Sequence, residues 1–277
     1  AEHDGRVGVI TVNRESLNWD VVHELNRAVD WLKAEGIDRV IVTGDFHLST
    51  QMIGADTSEF FPALSDENEG FRVSKHWSLA ARRLNDEFKV SVGFIGGKRC
   101  LGGMLELMMH CHYLVAVEDA QLGMPEVTLP VVPGMEGCHW ALRKNKGESW
   151  NEILTLLLTG RAVPAKDATG WLVDFAGPEE AALRKVWLIA TGGDHGIRIR
   201  KVETDEIAMP DQPPNMPSGS PLVEAGRKAI WDCIRASCGV SLSEALEVQA
   251  KHSAGFMTTR HCRSGEIGRN CKRVMDV

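Results

Sequence analysis

Two glutamates stand where a charge is costly. Glu106 lies in Leu101-Gly102-Gly103-Met104-Leu105-Glu106-Leu107-Met108-Met109, apolar on both sides within a helix-like stretch. Buried there, an ionised carboxylate costs several kcal/mol unless paired, and its pKa rises. Otherwise one face of the helix is wet and Glu106 points out of it. Glu126, in Leu122-Gly123-Met124-Pro125-Glu126-Val127-Thr128-Leu129-Pro130, is a carboxylate in an apolar, proline-bounded loop. It suits a general acid, the plain reading being a solvated loop residue. Gly102-Gly103 at a helix start lets a backbone N–H approach a ligand oxygen with the helix dipole behind it, or is simply a tight strand-to-helix turn. Gly54-Ala55-Asp56 precedes a short helix that Asp56 can cap.

Composition narrows the classes of function. The chain has 277 residues, 43% hydrophobic and 25% charged, a soluble globular profile of one to two domains. Lys and Arg number 31 against 38 Asp and Glu, a net charge of −7, the opposite of a nucleic-acid footprint. The eight Trp then read as core and pocket wall rather than as base-stacking platforms. No apolar run approaches the ~18 residues of a membrane span. Ala1-Glu2-His3-Asp4 is polar, without an initiator Met or a signal-type apolar stretch, as in a trimmed or partial chain. Seven scattered Cys with no CxxC pair favour a reducing, cytoplasmic setting over a disulfide framework. His110-Cys111-His112 offers ligand types, but neighbouring residues diverge and no remote ligand pair accompanies them, so no metal is expected. Lys251, Arg260, Arg263, Arg269, Lys272 and Arg273 make the end of the chain basic, a solvated face by default and a phosphate contact as the functional option.

The elements that must position the two glutamates follow from periodicity. Residues 7–12 and 39–43 read as strands around a helix from Asp20 to Lys33 that ends at Gly36. A helix from Phe71 to Phe88, capped by Asn68, precedes a strand over 89–95. The Gly-Gly helix through Met109 and a strand over Tyr113–Val117 continue the α/β alternation. From Gly134 onward helical patterns dominate. Met209 to Pro221 holds five of the eleven prolines and reads as an exposed loop or linker. Amphipathic helices over Leu222–Ser237 and Ser241–Met257 follow, the second opened by the capping box Ser241-Leu242-Ser243-Glu244. The division expected is a core over 1–204, a proline-rich loop over 205–221 and a helical region over 222–277.

Together the motifs resemble the crotonase (enoyl-CoA hydratase/isomerase) superfamily. Leu101-Gly102-Gly103-x-Leu105-Glu106-Leu107, Gly123-Met124-Pro125-Glu126 and Val132-Pro133-Gly134 occur in its order. The strand Val9-Ile10-Thr11-Val12-Asn13-Arg14, Gly54-Ala55-Asp56 and, more loosely, Gly265-Glu266-Ile267-Gly268 extend the likeness over roughly residues 6–275. The resemblance implies an α/β fold with a crotonase-like ββα spiral core and a helical C-terminal oligomerisation region. It implies an enoyl-CoA hydratase adding water to a trans-2-enoyl-CoA to give (3S)-3-hydroxyacyl-CoA. Ala55 and Gly103 take the places of the oxyanion-hole amides, and Glu106 and Glu126 those of the catalytic pair. Ala55, Asp56, Thr57 and Ser58, with Gly103, match the acyl-CoA site; Ser16 and Leu17 fall near the coenzyme A contacts. No cofactor is implied beyond coenzyme A as part of the substrate. Expected partners are other copies, as a homotrimer or hexamer, and a hydroxyacyl-CoA dehydrogenase, as in bifunctional β-oxidation proteins.

Four departures from the family pattern keep rivals open. Met104 replaces a usual third glycine, Lys98 stands where a glycine is common, and His47 to Met52 lengthens the approach to Gly54. Glu136, in Pro133-Gly134-Met135-Glu136-Gly137, stands where small residues are usual. It reads as a surface charge at a helix start, or as a third active-site carboxylate that points away from simple hydration. The rivals are an isomerase or hydrolase on the same fold, and a catalytically silent acyl-CoA-binding subunit.

Overall fold

The computed structural model describes residues 1–45, 47 and 51–275. Of the lengthened approach His47–Met52, residues 48–50 lie outside them. Two compact units are built from interleaved segments: 1–55, 79–123 and 162–201 make the first, and 56–78, 124–161 and 202–277 the second.

The first unit is a layered α/β structure. Its six-stranded sheet runs in the order Glu2–His3, Gly8–Val12, Arg39–Gly44, Val90–Ile95, Tyr113–Val117 and Phe175–Gly177. The first pair is antiparallel and the rest are parallel, with Ile10 beside Val42 and Phe94 beside Val115. β-branched runs such as Val40-Ile41-Val42 suit strands covered on both faces. Ile41, Val92, Phe94 and Val115 pack with Val186 and Ile189 of the helix Glu179–Thr191. The helix Trp19–Ala34 forms where expected: the Asn18 side chain accepts the Val21 N–H, and Val21, Val22, Leu25, Val29 and Leu32 make its buried stripe. A second, four-stranded sheet joins Val163–Pro164, Gln121–Gly123, Arg99–Leu101 and Gln51–Met52 in that order, and Ser16–Leu17 pairs in parallel with Gly54–Ala55.

Short elements and one cap differ from what the sequence suggests. Strands occur after Gly134, at Val163–Pro164 and Phe175–Gly177, both too short to carry a period. Asn68 is not a cap, for it lies inside the helix Glu67–Asp86; its N–H donates instead to the Asp66 carboxylate at 2.9 Å.

The second unit is helical apart from its loops. The helices Pro221–Cys238 and Leu242–Met257 follow a stretch, 193–220, without regular structure, and the expected capping box of Ser241 and Glu244 is formed. Ala63, Leu64, Val131, Met257, Cys262 and Ile267 make one of its apolar clusters. Arg143 is fully buried in this unit. Its two terminal nitrogens donate to the carbonyls of Glu203, Asp205, Ser237 and Val240 at 2.6–3.1 Å, tying the irregular 203–205 stretch to the end of the helix Pro221–Cys238. Among the described residues, no helix is long and apolar enough to cross a membrane.

Two stability consequences follow. Arg143→Leu strands carbonyls that the guanidinium now satisfies, and unfolding in urea should show a loss of at least ~3 kcal/mol; an unchanged midpoint would refute the staple. Burial pushes the Cys238 thiol up to about 12 and the Cys262 thiol up to about 11. Both stay protonated and inert at pH 8, so alkylation followed by peptide mass analysis should find them modified only after unfolding.

Candidate active site

In the first unit the site is built around the start of the helix Gly102–Met109, all of whose residues are buried. Leu101 ends a strand in extended conformation, and Gly102 turns the chain with φ 48°. Gly103 is the second helical residue, so its N–H has no acceptor within the helix. Gly54, at φ 110°, lies so close to this turn that a Cβ on it would sit 3.3 Å from the Leu101 carbonyl oxygen. That approach brings Ala55 alongside: a Cβ on Gly103 would lie 3.5 Å from the Ala55 nitrogen and 3.5 Å from Leu17 Cδ2. The Ala55 peptide nitrogen, from a distant part of the chain, therefore lies beside Gly103 at one helix N-terminus, a placement suited to a developing oxyanion. Ala55 is half-buried and Leu17 fully buried.

The helix carrying these groups rests on the six-stranded sheet. A Cβ at Gly93 would lie 3.1 Å from the Met108 carbonyl oxygen, so the bare glycine lets the helix come down onto the strand. One turn beyond Gly103 is Glu106, 2% exposed; the outward-facing alternative is excluded. His110 Nδ1 donates to the Glu106 carbonyl at 2.8 Å, and the Ser91 N–H donates to His112 Nδ1 at 3.0 Å. The two histidines thus serve backbone positioning, and among the described residues no group of three or more His, Cys, Asp or Glu could hold a metal ion. Lys98 adopts φ 54°, the left-handed conformation a glycine would take there. Met104 is buried in the helix.

In the second unit, Asp56 caps the short helix Thr57–Phe60: its carboxylate accepts the Ser58 N–H at 3.0 Å and the Ser58 hydroxyl at 2.7 Å. Asp56 and Thr57 are half-buried, and Ser58 is exposed. Glu126 sits on the single helical turn Pro125–Thr128, against which the helix Pro221–Cys238 packs. It is 7% exposed, so the solvated-loop reading fails. Its carbonyl accepts the N–H groups of Leu129 and Val131, both at 3.0 Å.

Glu136 is the largest surprise. Of its two readings, the surface charge fails: it is fully buried, with φ 68°, and its carboxylate lies 3.3 Å from Nε2 of His139, also fully buried. Composition and motifs do not single out His139; its one signal in the sequence is the i, i+3 spacing from Glu136.

Likeness to known proteins gives the family and the fold. A family model described as enoyl-CoA hydratase/isomerase matches residues 2–191. A protein named "Probable enoyl-CoA hydratase" from Bacillus subtilis is 30% identical over 183 residues, 64% of this chain and 68% of that relative. One of the same description from Mycobacterium bovis is 31% identical over 172 residues, 60% of this chain; the match spans 63% of that relative's own length, a little under two thirds. In fold, the chain is similar to a crystal structure of enoyl-CoA hydratase from Mycobacterium smegmatis, with TM-score 0.62 and 20% identity over 95% of this chain and 85% of that one. With a mixed α/β architecture, C-terminal helices and a family match over most of its length, the chain belongs to the enoyl-CoA hydratase/isomerase family.

Proposed function

We propose that this chain is an enoyl-CoA hydratase, converting a trans-2-enoyl-CoA into a (3S)-3-hydroxyacyl-CoA. The observation that carries the reading is the close approach of Ala55 to Gly103 at a helix N-terminus whose next turn holds the buried Glu106.

Adding water across a double bond conjugated to a thioester moves negative charge onto the thioester oxygen. Preorganised N–H donors aimed at that oxygen stabilise the transition state more than the ground state, by about 3–4 kcal/mol for a donor of this kind. The remaining steps are proton transfers: one from the attacking water as it bonds to C3, and one to C2. They call for two carboxyl groups in different protonation states, and Glu106 and Glu126 are the candidates. We assign Glu106 to positioning and activating water, and Glu126 to proton donation at C2. Burial of both supports the assignment, since neither would be kept from water as a surface charge. Asp56, Thr57 and Ser58, with Ala55 and Gly103, are assigned to acyl-CoA binding, and no cofactor beyond the substrate's own coenzyme A is required.

Gly103→Pro tests the oxyanion hole. At the second position of a helix, proline removes an N–H that no helical carbonyl uses, and circular dichroism checks that the helix start is kept. Turnover of crotonyl-CoA, followed by loss of its conjugated thioester absorbance, should fall at least ~10²-fold with coenzyme A binding retained. Near-wild-type turnover in a folded variant removes Gly103 from the mechanism. Glu106→Gln and Glu126→Gln should each lower hydration by ~10²–10⁴-fold, with acyl-CoA affinity changing far less. Retained double-bond migration in Glu106→Gln would identify an isomerase, and free coenzyme A among the products a hydrolase. We further propose a homotrimer or hexamer, built through the helices from Pro221 onward; a monomer by light scattering at micromolar concentration refutes it.

A further inference from the structure

We propose that Glu136 and His139 form a buried carboxyl–imidazole couple that holds the segment bearing Glu126 in its working conformation, which makes Glu136 a positioning residue. The proposal rests on Glu126 being a working carboxyl group, but not on hydration being the reaction.

The backbone supplies the first argument. At φ 68° Glu136 occupies the left-handed region, where any purely backbone role is filled with less strain by glycine. Such conformations persist where the surroundings over-determine them, and here they do. The Val132 carbonyl accepts the Ser253 hydroxyl at 3.2 Å, the Pro133 carbonyl accepts Gln249 Nε2 at 2.7 Å, and the Gly134 carbonyl accepts the Ser74 hydroxyl. The Cys138 N–H donates back to Gln249 Oε1 at 3.2 Å, and the N–H groups of His139 and Trp140 donate to the Glu136 carbonyl at 3.1 and 2.9 Å. The turn is thus pinned at its backbone from two helices, and what glutamate adds to it is a side chain.

That side chain meets His139 at 3.3 Å with both residues fully buried. The helices packed over the turn present neutral groups, Ser74, Ser78, Gln249 and Ser253. The buried cations of the adjoining helix are Lys144 and Arg143, the latter engaged with four carbonyls. In such surroundings a carboxyl group and an imidazole in contact share charge or a proton that neither could hold as cheaply alone.

The link to Glu126 is the chain itself. Its carbonyl holds Leu129 and Val131, and from Val131 the chain is buried up to the couple except at Gly134. At Gly134 itself a Cβ would meet nothing nearer than Ser253 Oγ at 3.8 Å, so packing around Val131, Val132 and Met135 leaves that residue to the hydrogen bonds and the couple.

The experiment compares Glu136→Gly with Glu136→Gln in the full chain, on whichever acyl-CoA reaction the wild type performs. Glu136→Gly relieves the backbone strain; it should stay folded by circular dichroism, yet lose roughly 10²-fold in kcat, the scale of a misplaced catalytic group, with KM nearly unchanged. Glu136→Gln keeps the shape and a polar contact to His139, and should recover part of that loss. Adding Glu126→Gln to Glu136→Gly should cost much less than Glu126→Gln alone, because the two act as one unit. Wild-type kcat in Glu136→Gly, or strictly multiplicative losses, overturns the proposal. If the wild type turns over no thioester, the function reading fails, and the couple is still decided by nitrogen NMR of the His139 ring. A shift on Glu136→Gln supports it, and ring signals that do not move overturn it.

Discussion

A backbone amide can act on a ligand's oxygen only if its own protein leaves it unspent, and a folded chain spends nearly all of its amides. Helix N-termini are the exception, because the first turn has donors with no helical acceptors. The first unit is organised around one such exception. The parallel sheet fixes the level at which the helix Gly102–Met109 begins, Gly93 lets that helix settle onto the sheet, and Gly54 brings a second strand against its first turn. Each approach is between backbones at distances a side chain would crowd, by a few tenths of an ångström. The positions of Ala55 and Gly103 are therefore set by glycines and strand register, and Glu106 inherits its place one turn along.

The second unit solves a different problem. It has long stretches with neither helix nor strand, and a buried peptide group there must find its partner elsewhere. Side chains supply it. Arg143 satisfies four carbonyls, Gln249 brackets the turn at Pro133 and Cys138, and Asp56 takes the Ser58 amide in the first turn of its helix. Polar residues that would be ornament on a surface act here as the hydrogen-bonding ladder that irregular backbone lacks. Glu126 and Glu136 sit on segments stiffened this way.

What was legible in the sequence was whatever repeats along it. The helices Trp19–Ala34 and Leu242–Met257 announce themselves by period and cap, and the Gly-Gly turn by composition. The edge strand Phe175–Gly177 has three residues and no period to detect. Asp66 and Asn68 are both good caps, and only the geometry separates them. The burial of Glu126 and Glu136 is decided by segments far away in the chain, Pro221–Cys238 in one case and Ser74 with Ser253 in the other. Nor does sequence carry the sign of φ at Glu136, which is why the residue reads as a surface charge and His139 as nothing in particular.

The departures from the family pattern fall into two kinds once their surroundings are known. Lys98 replaces a usual glycine yet takes the left-handed conformation a glycine would take, and Met104 is absorbed into the buried helix, so both leave the Gly103 turn as it is. Glu136 also accepts a glycine's conformation, but it brings an ionisable group into a place sealed from water, beside an imidazole. The first kind preserves backbone geometry with a different side chain; the second adds chemistry to an existing geometry. Backbone donors tolerate little substitution, because each depends on a close approach between chains. A carboxyl group can be added on a pinned turn in the second unit without disturbing them.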